Sequence, residues 1–235
     1  DTGMHPENRK RLEAMGDLPE STIEDGEPYL ELVHTPAYIQ KIKDLSLQGG
    51  GHLDPDTIAS KQTYAAAVCA AGATVQASKT KDFALVRPPG HHAYPERSSG
   101  FCIFNNIAIA AQNLVNQGKK VLIFDFDSHL GDGTVSYFYN SDQVLYWSIH
   151  QYPAFPGGGT VEQTGEGKGK GYTINMPLPP GSGDDVIEQM FGRYRFLDIA
   201  EQFSPDIVGV SAGFDGHQHD LLLNLRFSFN TYYRI

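Results

Sequence analysis

Short runs of uninterrupted apolar, β-branched and aromatic residues constrain this chain's fold more than any other feature. They are "FALV" (83–86), "KVLIFDF" (120–126), "VLYWSI" (144–149), "GYTINM" (171–176) and "DIVGVSA" (206–212). Each is the length of a strand, and short runs of this β-branched or aromatic kind read as strands buried on both faces. Longer segments of helical character accompany them. "PENRKRLEAM" and "PAYIQKIKDLSLQ" each open with a proline suited to a first turn, and "KQTYAAAVCAAGATVQASKT" is rich in small residues for close packing. "NNIAIAAQNLVNQG" (105–118) ends in glycine, and "DDVIEQMFGRYRFLDIAEQF" (184–203) has helical spacing. Strand and helix in alternation imply an α/β fold, a parallel sheet with helices on both faces. At 235 residues, with no repeat, linker or low-complexity stretch, the expectation is a single domain over residues 1–235.

Charge and cysteine usage narrow the function classes. Eighteen Lys and Arg against 28 Asp and Glu give a net charge of −10, which argues against a nucleic-acid partner and leaves room for a cationic substrate. Two cysteines, Cys69 and Cys102, make no disulfide framework and suit a reducing cytoplasm. No apolar run approaches the ~20 residues of a membrane helix, and the first residues carry no signal-peptide pattern. The expectation is a cytoplasmic protein with no membrane contact, in which an oligomer remains open.

Four loops carry the chemistry: "RPPGHHAYPERSSGF", "DSHLGDGT", "HQYPAFPGGGTVEQTGEGKGKG" and "AGFDGHQHD". Each follows, or nearly follows, an expected strand, and ligands of open parallel sheets bind outside the carboxyl ends of the strands. A buried strand running into Asp125, Asp127 and His129 needs a cation or a strong hydrogen-bond network to neutralise it. In extended chain Asp127 and His129 point the same way, and Asp215, just past the strand at 206–212, supplies a third ligand. Two carboxylates and an imidazole leave coordination positions open, as in a catalytic zinc site. Neighbouring His91 and His92 diverge too much to share that ion and suit an acid–base pair beside it, with Asp125 and Asp132 as the acids that would each orient one of them. "GEGKGKGY" has the glycines of a phosphate loop, but no strand leads in and no helix follows, so a nucleotide site is not expected there. "HQH" (217–219) reads as the loop after Asp215, and Cys102 reads as a small wall residue.

Taken in order and spacing, "RPPGHHA", "GFCIFNNIAIAA", "DFDSHLGDGT", "SIHQYPAFPGGG", "GKGYTINMPLP" and "SAGFDGH" resemble the zinc-dependent histone deacetylase superfamily, which includes acetylpolyamine amidohydrolases and acetoin-utilisation proteins. The resemblance runs from "HPENRKRL" to the last residues and implies the arginase–deacetylase fold. It implies zinc at Asp127, His129 and Asp215, the paired histidines at His91 and His92, tunnel walls at Phe101 and Phe155, and a backbone acceptor at Gly100. It further implies a potassium ion held by Asp125, Asp127, His129, Ser148 and Ile149. A second, peripheral cation falls near Phe138, Ser141, Val144 and Tyr172. The activity implied is removal of an acetyl or similar acyl group from an amine, a protein lysine or a polyamine.

Two departures stand out. Many members have a second histidine where this chain has Leu130. The family also places a transition-state-stabilising tyrosine in a glycine-rich loop well after the third ligand, whereas "LLLNLRFSFNTYYRI" puts Tyr232 and Tyr233 in an expected helix. The role is not transferred to them, and the expectation is that the 235 residues lack terminal segments of a longer protein. Two rival readings remain: an arginase-like ureohydrolase, which needs further carboxylates to bridge two manganese ions, and a catalytically silent module that binds acyl-lysine.

Overall fold

The computed structural model describes residues 5–17 and 21–235. Two compact units divide the chain, Asp1–Asn113 and Leu114–Ile235. Among the described residues no helix is long and apolar enough to cross a membrane.

The first unit is mainly helical. Its opening helix, α1 (Lys10–Glu13), is much shorter than the ten-residue stretch the sequence suggests and buries nothing. The Asn8 side chain is responsible: its Nδ2 donates to the carbonyl of His5 and its Oδ1 accepts from Lys10 N, a local turn that competes with helix before residue 10. α2 (Pro36–Leu47) starts where the sequence expects, with Pro36 in its first turn and the Thr35 hydroxyl accepting from Tyr38 N. A hairpin of β1 (Gly50–Asp54) and β2 (Thr57–Ser60) follows, which sequence reading does not anticipate. Its turn is closed by Asp54 Oδ1 accepting from Asp56 N, 2.9 Å away. α3 (Thr63–Thr80) buries Ala67, Ala70, Ala71 and Val75, the small face that its composition suggests. α4 (Asn106–Val115) runs across the boundary between the units.

The expected strand at 83–86 does not form. The ladder pairings do not include it, and Phe83 is 69% exposed. An apolar run becomes a strand only where a neighbour takes up its backbone donors and acceptors, and sequence alone does not supply the neighbour.

The second unit holds the sheet. β3 (Val121–Asp125), β4 (Val144–Gln151), β5 (Thr173–Leu178) and β6 (Ile207–Ser211) are all parallel, in the order β5-β4-β3-β6. Every residue of β3 and β4 is buried, as their uninterrupted apolar sequence requires. α5 (Asp132–Phe138) follows β3. The stretch 184–203 forms two helices, α6 (Val186–Phe191) and α7 (Phe196–Phe203), because Gly192 ends the first and Arg195 adopts the left-handed conformation before the second. α8 (Phe229–Arg234) closes the chain. Leu122, Phe124, Leu145, Trp147, Ile149 and Met176 from the strands pack with Ile187, Met190 and Phe203 from the helices into one core.

His34, in the first unit, couples this architecture to pH. It is 2% exposed, its Nδ1 donates to Tyr94 O at 3.1 Å, and its Nε2 accepts from Asn105 N at 2.8 Å. Burial holds its pKa down at about 4, partly offset by the backbone bonds to Tyr94 and Pro95. A histidine whose folded pKa lies below its unfolded value of ~6.5 stabilises the fold above that pH, and the contribution is lost as pH falls toward 4 because the unfolded chain takes up the proton first. The full loss is about 3 kcal/mol. Urea denaturation between pH 7 and pH 4.5 should therefore show a steeper fall in stability for the wild type than for His34→Gln; equal falls would contradict the assignment.

Candidate metal and catalytic site

β3 has β4 on one side and β6 on the other, and the chain moves outward through β4 and β5 before returning to β6. The sheet therefore reverses its order between β3 and β6, the place where open parallel sheets leave a crevice at their carboxyl ends. Asp127 and His129 follow β3, and Asp215 follows β6. Their ligand atoms all lie within 4.8 Å of one another, so the three residues chosen from sequence do meet.

Local backbone bonds set this geometry. Asp125, fully buried, ends β3 in register with Ser148 on β4 and Ser211 on β6. Its Oδ1 accepts from Asp127 N at 3.2 Å; Asp127 Oδ1 accepts in turn from His129 N at 2.9 Å. Ser128 N donates to Asp215 Oδ1 at 3.0 Å, which fastens the third ligand to the loop carrying the first two. Gly213 passes so close to the Asp127 carboxylate that a Cβ there would collide with it.

The three donors face one another as groups around a cation do. His129 Nδ1 lies 2.7 Å from Asp215 Oδ2 and 3.2 Å from Asp127 Oδ1. Burial by itself would lower the His129 pKa, but the close Asp127 and Asp215 carboxylates overcome it and hold the imidazole up at about 10. Two carboxylates this close thus demand a positive partner. Asp215 Oδ2 is buried and, despite the short approach of Nδ1, accepts no directed hydrogen bond. Together with the mixed oxygen and nitrogen donor set, that orphaned oxygen fits a divalent metal.

The remaining residues expected around the cluster occupy defined positions in the second unit. Asp132 is the first residue of α5. Ser148 and Ile149 are buried on β4, with Ser148 Oγ 2.9 Å from His150 Nδ1. Burial lowers the His150 pKa to about 4, partly offset by its bond to Gly159 O, so this imidazole is neutral. The Phe155 ring, 51% exposed, lies 6.2 Å from that of His129. For the peripheral cation group, Phe138 O accepts from Ser141 N, Tyr172 O accepts from Tyr146 N, and Val144 begins β4. Tyr232 donates to Phe214 O at 3.2 Å and its ring packs against Phe126 and Phe214, while Tyr233 is 91% exposed on the same short helix. Their placement in α8 agrees with the sequence expectation.

The paired histidines belong to the first unit. His92 is 4% exposed and its ring centroid lies 4.0 Å from that of His91. A scaffold of polar side chains shapes their loop: Asn105 Nδ2 donates to Ala93 O, Asn106 Nδ2 to Pro88 O, and Tyr38 Oη to Ile103 O. Gly100, at φ +51°, rests against the His92 ring where a Cβ would clash, so glycine is required there on both counts. Phe101 adopts φ +69°, donates its N–H to Thr57 Oγ1 at 3.1 Å and meets the His5 ring edge to face.

Sequence reasoning missed one residue of the second unit. Tyr146 lies in the apolar run of β4, fully buried, and its hydroxyl donates to Asp125 Oδ2 at 3.0 Å. Burial, then the Asp125 charge, holds its pKa well above the usual tyrosine value, so the phenol stays a donor. The available signal was that a tyrosine inside a doubly buried strand must find a partner for its hydroxyl.

A parallel sheet carrying an Asp-His-Asp cluster at its switch point defines the arginase–deacetylase class of α/β proteins. Comparison with known proteins agrees: residues 5–235 match the histone deacetylase domain, and the chain belongs to that family. It is 38% identical to a probable deacetylase of Archaeoglobus fulgidus, over 97% of this chain and 69% of that protein. It is also 38% identical to histone deacetylase 10, chloroplastic, of Oryza sativa subsp. japonica, over 98% of this chain and 60% of that protein. The crystal structure of the HDA15 HD domain is similar, with a TM-score of 0.91 and 36% identity over 98% of this chain and 72% of that one. The chain thus spans between six- and roughly seven-tenths of the relatives it matches here.

Proposed function

We propose that the protein is a zinc-dependent amidohydrolase that removes an acetyl or similar acyl group from an amine such as acetyl-lysine or an acetylpolyamine. One observation carries the reading: Asp127, His129 and Asp215 converge at the switch point, with a buried Asp215 oxygen that accepts no hydrogen bond. Zinc held by these three residues would polarise an amide carbonyl and lower the pKa of a water molecule. Asp125, Asp127, His129, Ser148 and Ile149, the last through its backbone carbonyl, would hold a potassium ion, whose charge would offset the burial of Asp125.

The chain's own groups have separate tasks. His92, with His91 beside it, accepts a proton from the attacking water at an imidazole nitrogen and returns one to the leaving amine. Orienting carboxylates would fix the tautomers of this pair, the role expected from the sequence for Asp125 and Asp132. The family resemblance gives Phe101 and Phe155 the role of walls along a methylene chain, and the Gly100 carbonyl that of an acceptor for the substrate's amide. An acidic chain with net charge −10 favours amine-bearing substrates over anionic ones.

Acetate release from an acetyl-lysine peptide and from an acetylated polyamine tests the proposal. The zinc-loaded protein should release acetate from at least one of them, lose that activity on chelation and regain it with zinc. Binding of either amide without acetate release would instead make the chain a silent acyl-lysine reader, and urea release from arginine would make it a ureohydrolase.

A further inference from the structure

β4 carries an anomaly for a strand buried along its whole length. Leu145, Trp147 and Ile149 face the apolar core, while the alternate positions Tyr146, Ser148 and His150 place three polar side chains on the opposite face, exposed by no more than 1%. Polar groups buried to that degree are costly unless each is engaged. Ser148 and His150 engage each other, and His150 reaches Gly159. Tyr146 does something different. Its single oxygen donates to Asp125 Oδ2 at 3.0 Å and accepts from Gly131 N at 3.1 Å. Those two residues bracket the loop that carries Asp127 and His129.

We infer that Tyr146 is a positioning residue for the metal centre, a two-point tie that fixes the ligand loop at both ends. The inference rests on the metal-centre reading above. At the near end, the tyrosine holds one oxygen of Asp125 while the other accepts from Asp127 N, so rotation of the Asp125 carboxylate would pull the first ligand out of place. At the far end, Gly131 precedes α5, so the same oxygen fixes where the loop stops and the helix starts. Between these anchors Asp127 Oδ1 caps His129 N, and the loop has little freedom left to misplace either ligand. Tyr146 touches no substrate in this account; it acts through Asp125 and Gly131.

Zinc affinity, measured by competition with a chromogenic chelator, separates this role from general packing. Loss of a partner bonded directly to a metal ligand typically weakens binding by about 10- to 100-fold; Tyr146 acts one residue further out, through Asp125, so Tyr146→Phe should weaken zinc binding several-fold, up to about tenfold, with the stoichiometry unchanged. Trp147→Phe alters the same strand on its apolar face and should bind zinc as tightly as the wild type, whatever it does to the melting temperature. If Tyr146→Phe does not fold, 4-fluorophenylalanine incorporated at position 146 fills the hydroxyl's volume without donating and should show the same weakening. A Tyr146→Phe protein within about twofold of the wild type, or an equal loss in Trp147→Phe, would overturn the inference. Failure of the wild type itself to bind zinc would instead overturn the metal-centre reading, an outcome the same titration shows directly.

Discussion

Replacing His92 by alanine is expected to slow hydrolysis of an acetylated amine by about 10²–10⁴, the usual worth of a general base, while zinc content stays at the wild-type level. The separation of the two effects follows from where the groups lie. All three proposed metal ligands belong to the unit spanning Leu114–Ile235, fixed by Asp125, Ser128 and Gly213 of that same unit, whereas His92 belongs to the loop scaffolded by Asn105, Asn106 and Tyr38. Removing the imidazole leaves a void beside Gly100 and His91, and the backbone bonds that place Asp127, His129 and Asp215 do not involve its residue. Steady-state kinetics and metal analysis on one preparation check this. Wild-type turnover with zinc present would exclude the proton-transfer role, and loss of zinc would mean that His92 supports the metal.

The parts of this protein most visible in its sequence are those where burial leaves little choice. A strand covered on both faces has to be apolar nearly throughout, which is why 121–125 and 144–151 could be located within a residue or a few; 207–211 was located as well, although Val208 and Val210 are exposed and its expected burial on both faces does not hold, and 173–178 is buried at only four of its six positions. Charged residues directly after such strands are equally conspicuous, because Asp127, His129 and Asp215 would be costly there without a shared ion. Elements that depend on a neighbour were less visible. The run at 83–86 is apolar but finds no ladder, and the β1–β2 hairpin announces itself only through Asp54-Pro55-Asp56. Gly192 and Arg195 split a stretch whose periodicity alone suggested continuity. Tyr146 was hidden most completely, since its ring satisfies the apolar pattern of β4 while its hydroxyl meets an acid 21 positions earlier in the chain.

Asp215→Ala should have the largest effect of any single change, because it removes one of the three proposed protein ligands. It deletes the carboxylate 2.7 Å from His129 Nδ1 and leaves Ser128 N without the acceptor that fastens the ligand loop. Its cost in metal affinity should exceed the about 10- to 100-fold expected for an outer partner, and hydrolysis should fall with it. Equilibrium dialysis of stripped wild type and stripped Asp215→Ala against limiting zinc tests the central claim most directly. The account predicts one tightly held zinc per wild-type chain and almost none in the variant; a variant that retains zinc as tightly as the wild type would contradict it.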